Sequence, residues 1–154
     1  MSFYKITPEQ LQSSDLRNFI ETIFNNFIEL LEYPELKHNR DEIYRILTSN
    51  NVHVLLYMID GKIASYLIGE TINLNDGRRV LYISYLYTAL RFRGKRLASL
   101  LMEQVEEIVQ NEQLDTTVLT CDTENSMVYN FYLQKGFMPD MILRNYSRHE
   151  VLSK

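Results

Sequence analysis

A change of hydrophobic period about one third of the way along the chain constrains the fold more than any other sequence feature. Residues 52–59 are mostly β-branched, aromatic or aliphatic, and they run into Asp60-Gly61, a dipeptide typical of two-residue hairpin turns. A second strand-like run returns over residues 62–72. After a turn at Asn75-Asp76-Gly77, residues 80–88 form a third. The sequence therefore predicts an antiparallel three-stranded meander at the centre of the fold.

Helical patterns precede this meander. Thr7 fits an N-cap and Pro8 the first helical position, so we expect a helix to begin there. Until Pro34, apolar residues repeat every three or four positions, the pattern of a buried helix face: Leu16, Phe19, Ile20, Ile23, Phe24, Phe27, Leu30 and Leu31. Asn39 or Asp41 is expected to cap a shorter helix with one apolar side: Ile43, Ile46 and Leu47.

Strands and helices alternate after the meander. The expected elements are a helix, a strand, a helix that Gly136 stops and two short strands, at residues 94–112, 116–121, 125–135, 137–143 and 146–152. This order predicts an α/β fold, a mixed and mostly antiparallel sheet of six to seven strands with about four helices on its faces. No repeat or linker interrupts the pattern, so residues 1–154 are expected to form one domain.

Composition excludes several classes of protein. The formal net charge of −4 argues against a nucleic-acid binder, which usually carries a basic surface. The one cysteine, Cys121, cannot form an internal disulfide, and the three histidines share no metal-ligand spacing. The first residues lack the apolar run of a signal peptide, and no stretch of about eighteen apolar residues could span a membrane. We therefore expect a cytoplasmic protein that uses no metal and binds neither nucleic acid nor membrane.

Four cations lie in the junction between the third strand of the meander and the helix that follows. Arg91, Arg93, Lys95 and Arg96 stand close together in an otherwise acidic chain. The backbone N–H groups at a helix start and the positive end of the helix dipole attract phosphate, so the junction would suit a polyanionic ligand. A solvated basic loop is the ordinary alternative, because most charge runs lie on the surface.

A second polar feature is the pair Asn125 and Tyr132. On a helix, residues seven apart lie on nearly one face and about 10 Å apart along the axis, so the pair could contact two points of one extended ligand. Taken singly, Asn125 is also a typical helix cap, and Tyr132 is a typical core aromatic.

In this order and spacing, the two features resemble the GNAT family of N-acetyltransferases. The family's cofactor loop, Arg/Gln-x-x-Gly-x-Gly/Ala between a strand and a long helix, corresponds to residues 93–98. Its later Asn, followed by Tyr and Gly-Phe, corresponds to Asn125, Tyr132 and Gly136-Phe137. The resemblance covers nearly the whole chain and implies the acyl-CoA N-acyltransferase fold, with acetyl-CoA as cosubstrate.

The resemblance also implies where acetyl-CoA binds. The pantetheine arm would lie where the strand ending at residue 88 splays from the strand at 116–121. The expected cofactor-binding residues are Leu86, Tyr87, Thr88, Arg93, Gly94, Lys95, Arg96, Leu97, Ala98, Ser99, Asn125 and Tyr132. Arg96 replaces the central glycine of the loop, and we expect it to be tolerated only with a negative φ and a Cβ turned away from the pyrophosphate.

By the same resemblance, an amine attacks the thioester directly in a ternary complex. The backbone N–H of Thr88 is expected to donate to the thioester carbonyl, and Tyr132 to protonate the departing thiolate. Some relatives carry a glutamate base in the preceding strand, where this chain has Ser84. Water is therefore expected to take the amine's proton, ordered by one of three side chains: Ser84, Tyr82 or Asp122. Two carboxylates are weaker candidates for the base: Glu70 and Glu124.

The acceptor amine stays open. By the resemblance, the first two helices and the last hairpin surround the acceptor, and they correspond here to about residues 25–40 and 138–148. These segments contain polar and aromatic residues that could bind an amine: Glu29, Glu32, Tyr33, Glu35, Arg144 and Tyr146. A polyamine, an aminoglycoside-like amine, a peptide N-terminus and a lysine side chain all fit. A homodimer through the C-terminal strands would suit an exposed last strand. Two other classes remain, a catalytically silent acyl-CoA-binding module and an interaction domain whose basic loop binds an acidic partner.

Overall fold

The computed structural model describes residues 1–7, 40–143 and 148–154. Their elements in chain order are β1 (Ser2–Ile6), α1 (Arg40–Leu47), β2 (Val52–Ile59), β3 (Lys62–Asn73), β4 (Arg79–Thr88), a 3-10 turn (Leu90–Phe92), α2 (Leu97–Asn111), β5 (Thr116–Asp122), α3 (Ser126–Gln134), β6 (Met138–Pro139) and β7 (His149–Ser153). The helix predicted after Thr7 and the apolar repeat that ends at Pro34 lie outside the described residues. None of the described helices is long and apolar enough to cross a membrane.

The seven strands form one mixed sheet in the order β1-β2-β3-β4-β5-β7-β6. Neighbours are antiparallel except β4 and β5, which run parallel and are joined by the crossover helix α2. The predicted mixed, mostly antiparallel sheet is thereby confirmed. The described ranges contain three α-helices, where about four were expected for the whole chain.

The central hairpin follows the sequence prediction closely. Its turn residues Asp60 and Gly61 both have positive φ, 52° and 73°, as a two-residue turn of this kind requires. Other elements differ at their ends, where α2 begins at Leu97 and the last two strands are shorter than expected. The strand β1 was missed, because only Phe3 and Ile6 in its five residues turn inward and so short a pattern is indistinct.

Apolar side chains form one cluster on each face of the sheet. The α2 face is covered by α2 and α3, and its buried members include Leu55, Leu67, Leu81, Ile83, Leu97, Leu101, Leu119, Cys121, Tyr132 and Phe137. The α1 face is covered by Ile46 and Leu47 of α1, and its members from the sheet are Val52, Val54, Leu56, Tyr66, Ile68, Tyr85 and Tyr87.

A β-bulge at Ser84 decides which residues of β4 reach which face. Ile68 pairs with Tyr85 and the next residue, Gly69, pairs with Ile83, so Ser84 is an extra residue in β4. Because side chains alternate along a strand, one inserted residue reverses the faces beyond it. Ile83 accordingly packs on the α2 face, whereas Tyr85 packs on the α1 face.

Glycine at position 69 allows the close strand contact beside this bulge. A Cβ at Gly69 would lie 2.8 Å from the carbonyl oxygen of Tyr82 and 3.0 Å from a methyl group of Leu81.

We expect Gly69→Ala to lower the free energy of unfolding by about 1–3 kcal/mol, measured by urea denaturation. Asn73→Ala, at an exposed position of the same strand, should stay within about 0.5 kcal/mol of wild type. Equal stability of the two variants would show that the bulge tolerates a side chain there.

Candidate active site

The two parallel strands at the centre of the sheet part halfway along. β4 is ten residues long, but its pairing with β5 runs only from Val80 opposite Thr116 to Ile83 opposite Leu119. Beyond that point β5 continues to Asp122 paired with β7 alone. A gap therefore separates β4 from β5, closed at Ile83 and open where both strands end. The predicted splay is confirmed.

The main chain of β4 turns hydrogen-bonding groups into this gap. In an antiparallel pair, residues bonded to the partner strand alternate with residues whose main chain points outward. Ala89 N–H donates to the Ala64 carbonyl at 2.8 Å, so Thr88 and Leu86 belong to the outward set. The Thr88 carbonyl accepts a bond from Arg93 Nε at 3.1 Å. The gap thus offers two N–H donors, spaced as in a strand, to an extended ligand.

At the open end of the gap, residues 93–96 lead into α2 through two residues of positive φ. Gly94 has a φ of 83° and Arg96 a φ of 60°, so the negative φ expected for Arg96 is wrong. The Arg96 side chain is exposed, so the strain of this left-handed turn lies in the backbone and not in side-chain packing. Arg96 occupies the N-cap position without a side-chain cap bond, and Leu97 anchors the first turn in the core.

The first turn of α2 is therefore a candidate anion site. The first intrahelical bond runs from Leu100 N–H to the Arg96 carbonyl, which leaves the N–H groups of residues 97–99 without an intrahelical acceptor. The positive end of the helix dipole lies at the same place. A bound phosphate would accept hydrogen bonds from these N–H groups and would be attracted by the helix dipole.

Contacts within the junction hold three of its four cations. The Arg91 guanidinium lies 4.6 Å and the Lys95 ammonium 5.8 Å from the ring centroid of Phe92, which is itself buried. Cation–π attraction restricts both side chains, and Arg93 is held by Thr88 as described above. All four side chains are nevertheless exposed, as in a solvated loop.

The helix α3 begins beside the open end of β5. Asn125 Oδ1 caps this helix by accepting a hydrogen bond from Val128 N–H at 3.4 Å, which confirms the capping role considered from sequence. The same bond fixes the orientation of the amide NH2 group. Tyr132 is 8% exposed and packs edge-on against Phe131 and Phe137. Burial, with a smaller effect of the Cys121 thiol, raises the pKa of Tyr132, and the phenol stays protonated.

The carboxylates near the gap are held in ion pairs. Asp122 accepts from Arg148 Nε at 2.9 Å and from its terminal nitrogen at 2.8 Å, and this hydrogen bonding lowers the pKa of Asp122 to about 2. Glu124 Oε2 lies 3.4 Å from Nε of the same Arg148, and Glu70 Oε1 lies 3.5 Å from Nη2 of Arg45. So acidic an Asp122 is a poor proton acceptor. Within the described ranges, no three His, Cys, Asp or Glu side chains form a group that could hold a metal ion.

The family model of the acetyltransferase (GNAT) family matches residues 18–137. The chain belongs to this family. As a GNAT member it is an acetyltransferase enzyme with an acyl-coenzyme A cosubstrate. No curated protein sequence matches the chain significantly.

Solved GNAT structures share the fold over almost the whole chain. An acyl-CoA N-acyltransferase from Pseudomonas aeruginosa has a TM-score of 0.74 at 16% identity, covering 99% of this chain and 98% of that one. The PaiA N-acetyltransferase of Thermoplasma acidophilum, solved with coenzyme A, has a TM-score of 0.70 at 16% identity, covering 100% and 99%. An aminoglycoside acetyltransferase from a soil metagenomic sample, solved with sisomicin, has a TM-score of 0.71 at 13% identity, covering 95% and 94%.

Some of the predicted site residues of this GNAT enzyme lie at the gap between β4 and β5, and others do not. The main chain of Leu86 and Thr88 faces the gap, and Ser84 lies at its closed end. Arg93 to Ser99 follow β4 at the open end, where Arg93 bonds the Thr88 carbonyl. The Tyr87 side chain is buried on the α1 face and its main chain belongs to the set bonded to β3. The acceptor-framing residues Glu29, Glu32, Tyr33, Glu35, Arg144 and Tyr146 lie outside the described residues.

Sequence reasoning missed one polar contact across the closed end. The Tyr82 hydroxyl lies 2.9 Å from Thr120 Oγ1, in hydrogen-bonding contact between β4 and β5. Tyr82 was considered only for ordering water, and Thr120 was not considered. A strand residue 38 positions away carries no local signal of such a partner.

The left-handed Arg96 gives a direct test of the loop geometry. Arg96→Gly should relieve a strain of about 1–2 kcal/mol, offset in part by the greater freedom of glycine in the unfolded chain. We expect this variant to be at least as stable as wild type in urea unfolding. Gln110→Gly, at an exposed helical position of α2, should instead lose about 1 kcal/mol. An equal loss in both variants would contradict the left-handed assignment.

Proposed function

We propose that this GNAT enzyme transfers the acetyl group of acetyl-coenzyme A to a primary amine by direct attack in a ternary complex. The observation that carries the proposal is the gap between β4 and β5, with two inward N–H donors and a phosphate-attracting helix start at its open end. An extended pantetheine arm with a pyrophosphate at one end matches that arrangement. We also propose a cytoplasmic location and leave a homodimer as an expectation.

The direction of the gap orients the cosubstrate. The pyrophosphate would lie on the N–H groups of residues 97–99 beside Arg93, Gly94, Lys95 and Arg96, and Asn125 would contact pantetheine from the β5 side. The thioester then points toward Ser84, about 13 Å along β4 from Thr88. The Leu86 N–H lies nearer that end, so we assign it the thioester carbonyl. Thr88, expected from sequence to have that role, would instead bond the pantetheine arm.

The reaction needs a hydrogen-bond donor that stabilises the oxyanion and a general acid that protonates the leaving thiolate. As the neutral amine forms its bond to the carbonyl carbon, a fixed N–H can stabilise the developing oxyanion by about 3 kcal/mol. The carbon–sulfur bond then breaks, and Tyr132 gives its proton to the leaving thiolate. The raised pKa keeps the Tyr132 phenol protonated at neutral pH, as a general acid must be, and also makes it a weaker proton donor than a free phenol.

The amine's proton would pass to water. Asp122 is unsuited as a base because Arg148 holds its pKa at about 2. Ser84, half-buried at the bulge, and Tyr82 remain as side chains that could order the water. The acceptor stays among a polyamine, an aminoglycoside-like amine, a peptide N-terminus and a lysine side chain. The solved relative with sisomicin gives the second of these a precedent within the fold.

Tyr132→Phe tests the acid. Turnover is measured as the release of free thiol from acetyl-CoA in the presence of a panel of amines. We expect the kcat of the variant to be about 10²–10⁴-fold lower than that of wild type, because the thiolate must leave unprotonated. The Kd of coenzyme A, measured by calorimetry, should stay within twofold. Tyr129→Phe, a half-buried tyrosine of the same helix, is the matched control and should keep its activity. Wild-type turnover in Tyr132→Phe would remove this residue from the role.

The same assay has a pH signature. A raised pKa means that Tyr132 loses its proton only above its ordinary value of about 10. The wild-type kcat should therefore rise as the bound amine loses its proton and show no alkaline fall up to about pH 10. A fall with an apparent pKa at or below about 9 would contradict the assignment.

A further inference from the structure

The closed end of the gap is where the reaction would take place, and among the described residues the α2 face of the sheet is filled at that point. Leu81, Ile83, Leu119 and Cys121 fill the α2 face together with Tyr132. Residues that alternate with them point to the α1 face. An amine that attacks a thioester held at this end must therefore approach from the α1 face. This step rests on the proposed function, because it takes the orientation of acetyl-CoA from it.

Two hydroxyl groups stand on that face at that point. Tyr82 lies between Leu81 and Ile83, and Thr120 between Leu119 and Cys121, so both side chains turn to the α1 face. Their oxygens are 2.9 Å apart, joining β4 to β5 where the backbone ladder stops. Thr120 is exposed and Tyr82 half-buried, so a ligand on the α1 face can reach the pair.

The pair keeps hydrogen-bonding capacity after its mutual bond. Two hydroxyls hold two protons and four lone pairs between them, and the bond that joins them uses one of each. One donor and three lone pairs remain. An attacking amine must direct its lone pair at the carbonyl carbon while its N–H groups point to acceptors. The remaining lone pairs supply such acceptors without adding charge.

We propose that Tyr82 and Thr120 form the subsite that binds the attacking amine nitrogen. The nitrogen donates its hydrogens to the two oxygens, and its lone pair forms the bond to the thioester carbon before the carbon–sulfur bond breaks. The proton that nitrogen sheds moves to one hydroxyl oxygen while that group's own proton passes to water. Neither side chain changes charge, and Tyr132, which protonates the thiolate, regains its proton from solvent.

Three substitutions separate this role from a structural one. Tyr82→Phe keeps the ring, Thr120→Val keeps the shape, and Thr120→Ser keeps the hydroxyl. Free-thiol release is followed with spermidine, sisomicin, a peptide beginning with alanine and a lysine-containing acetylated peptide. For the amine best used by wild type, we expect kcat/KM to fall at least tenfold in the first two variants and less than threefold in Thr120→Ser. The Kd of coenzyme A should stay within twofold in all three.

The outcomes are distinguishable. Unchanged kcat/KM for the amine in both Tyr82→Phe and Thr120→Val, beside an active wild type, overturns the subsite alone. A parallel loss of amine turnover and coenzyme A affinity, with lowered Tm, means that the hydroxyl pair only holds the strands together and also overturns it. A wild-type enzyme that uses none of the four amines overturns the proposed amine transfer, and the subsite with it. Tyr4→Phe, exposed on the outermost strand, controls for loss of any tyrosine hydroxyl.

Discussion

The pairing of β4 with β5 that stops after four residues is the constraint on which the rest of the site depends. A continuous parallel pair would saturate the main chain of both strands and leave nothing for a ligand. Because the ladder stops at Ile83, the N–H groups of Leu86 and Thr88 face a gap instead of a strand. The bulge at Ser84 coincides with that point, and Gly69 permits the close approach of β3 that accompanies it.

The geometry of the loop at the open end complements the gap. Two left-handed residues, Gly94 and Arg96, turn the chain so that α2 starts where β4 ends, and the buried Leu97 fixes that start. An uncapped helix start has unused N–H groups, a cost that a bound phosphate removes. In the proposed complex, strand donors and helix donors would bind one extended ligand from two directions, which would account for the order of strand, tight loop and helix.

Sequence reasoning worked where a short segment determines its own conformation. The Asp60-Gly61 hairpin, the apolar period of α2 and the Asn125 cap depend on neighbours within a turn or two. It failed where a residue's state depends on distant partners. The bulge at Ser84 is visible only in the register with β3, and the bond between Tyr82 and Thr120 joins residues 38 apart. The left-handed Arg96 was missed because residues with a Cβ seldom adopt a positive φ, so a negative φ was expected.

Amide hydrogen exchange of β4 tests the gap most directly, because it reads single N–H groups. In the free enzyme, the amides of Leu86 and Thr88 should exchange much faster than those of Tyr85 and Tyr87, which the alternation assigns to bonds with β3. Saturating coenzyme A should slow Leu86 and Thr88 at least tenfold and leave the two tyrosines unchanged. Equal protection of all four amides without ligand, or no slowing on adding coenzyme A, would contradict the account.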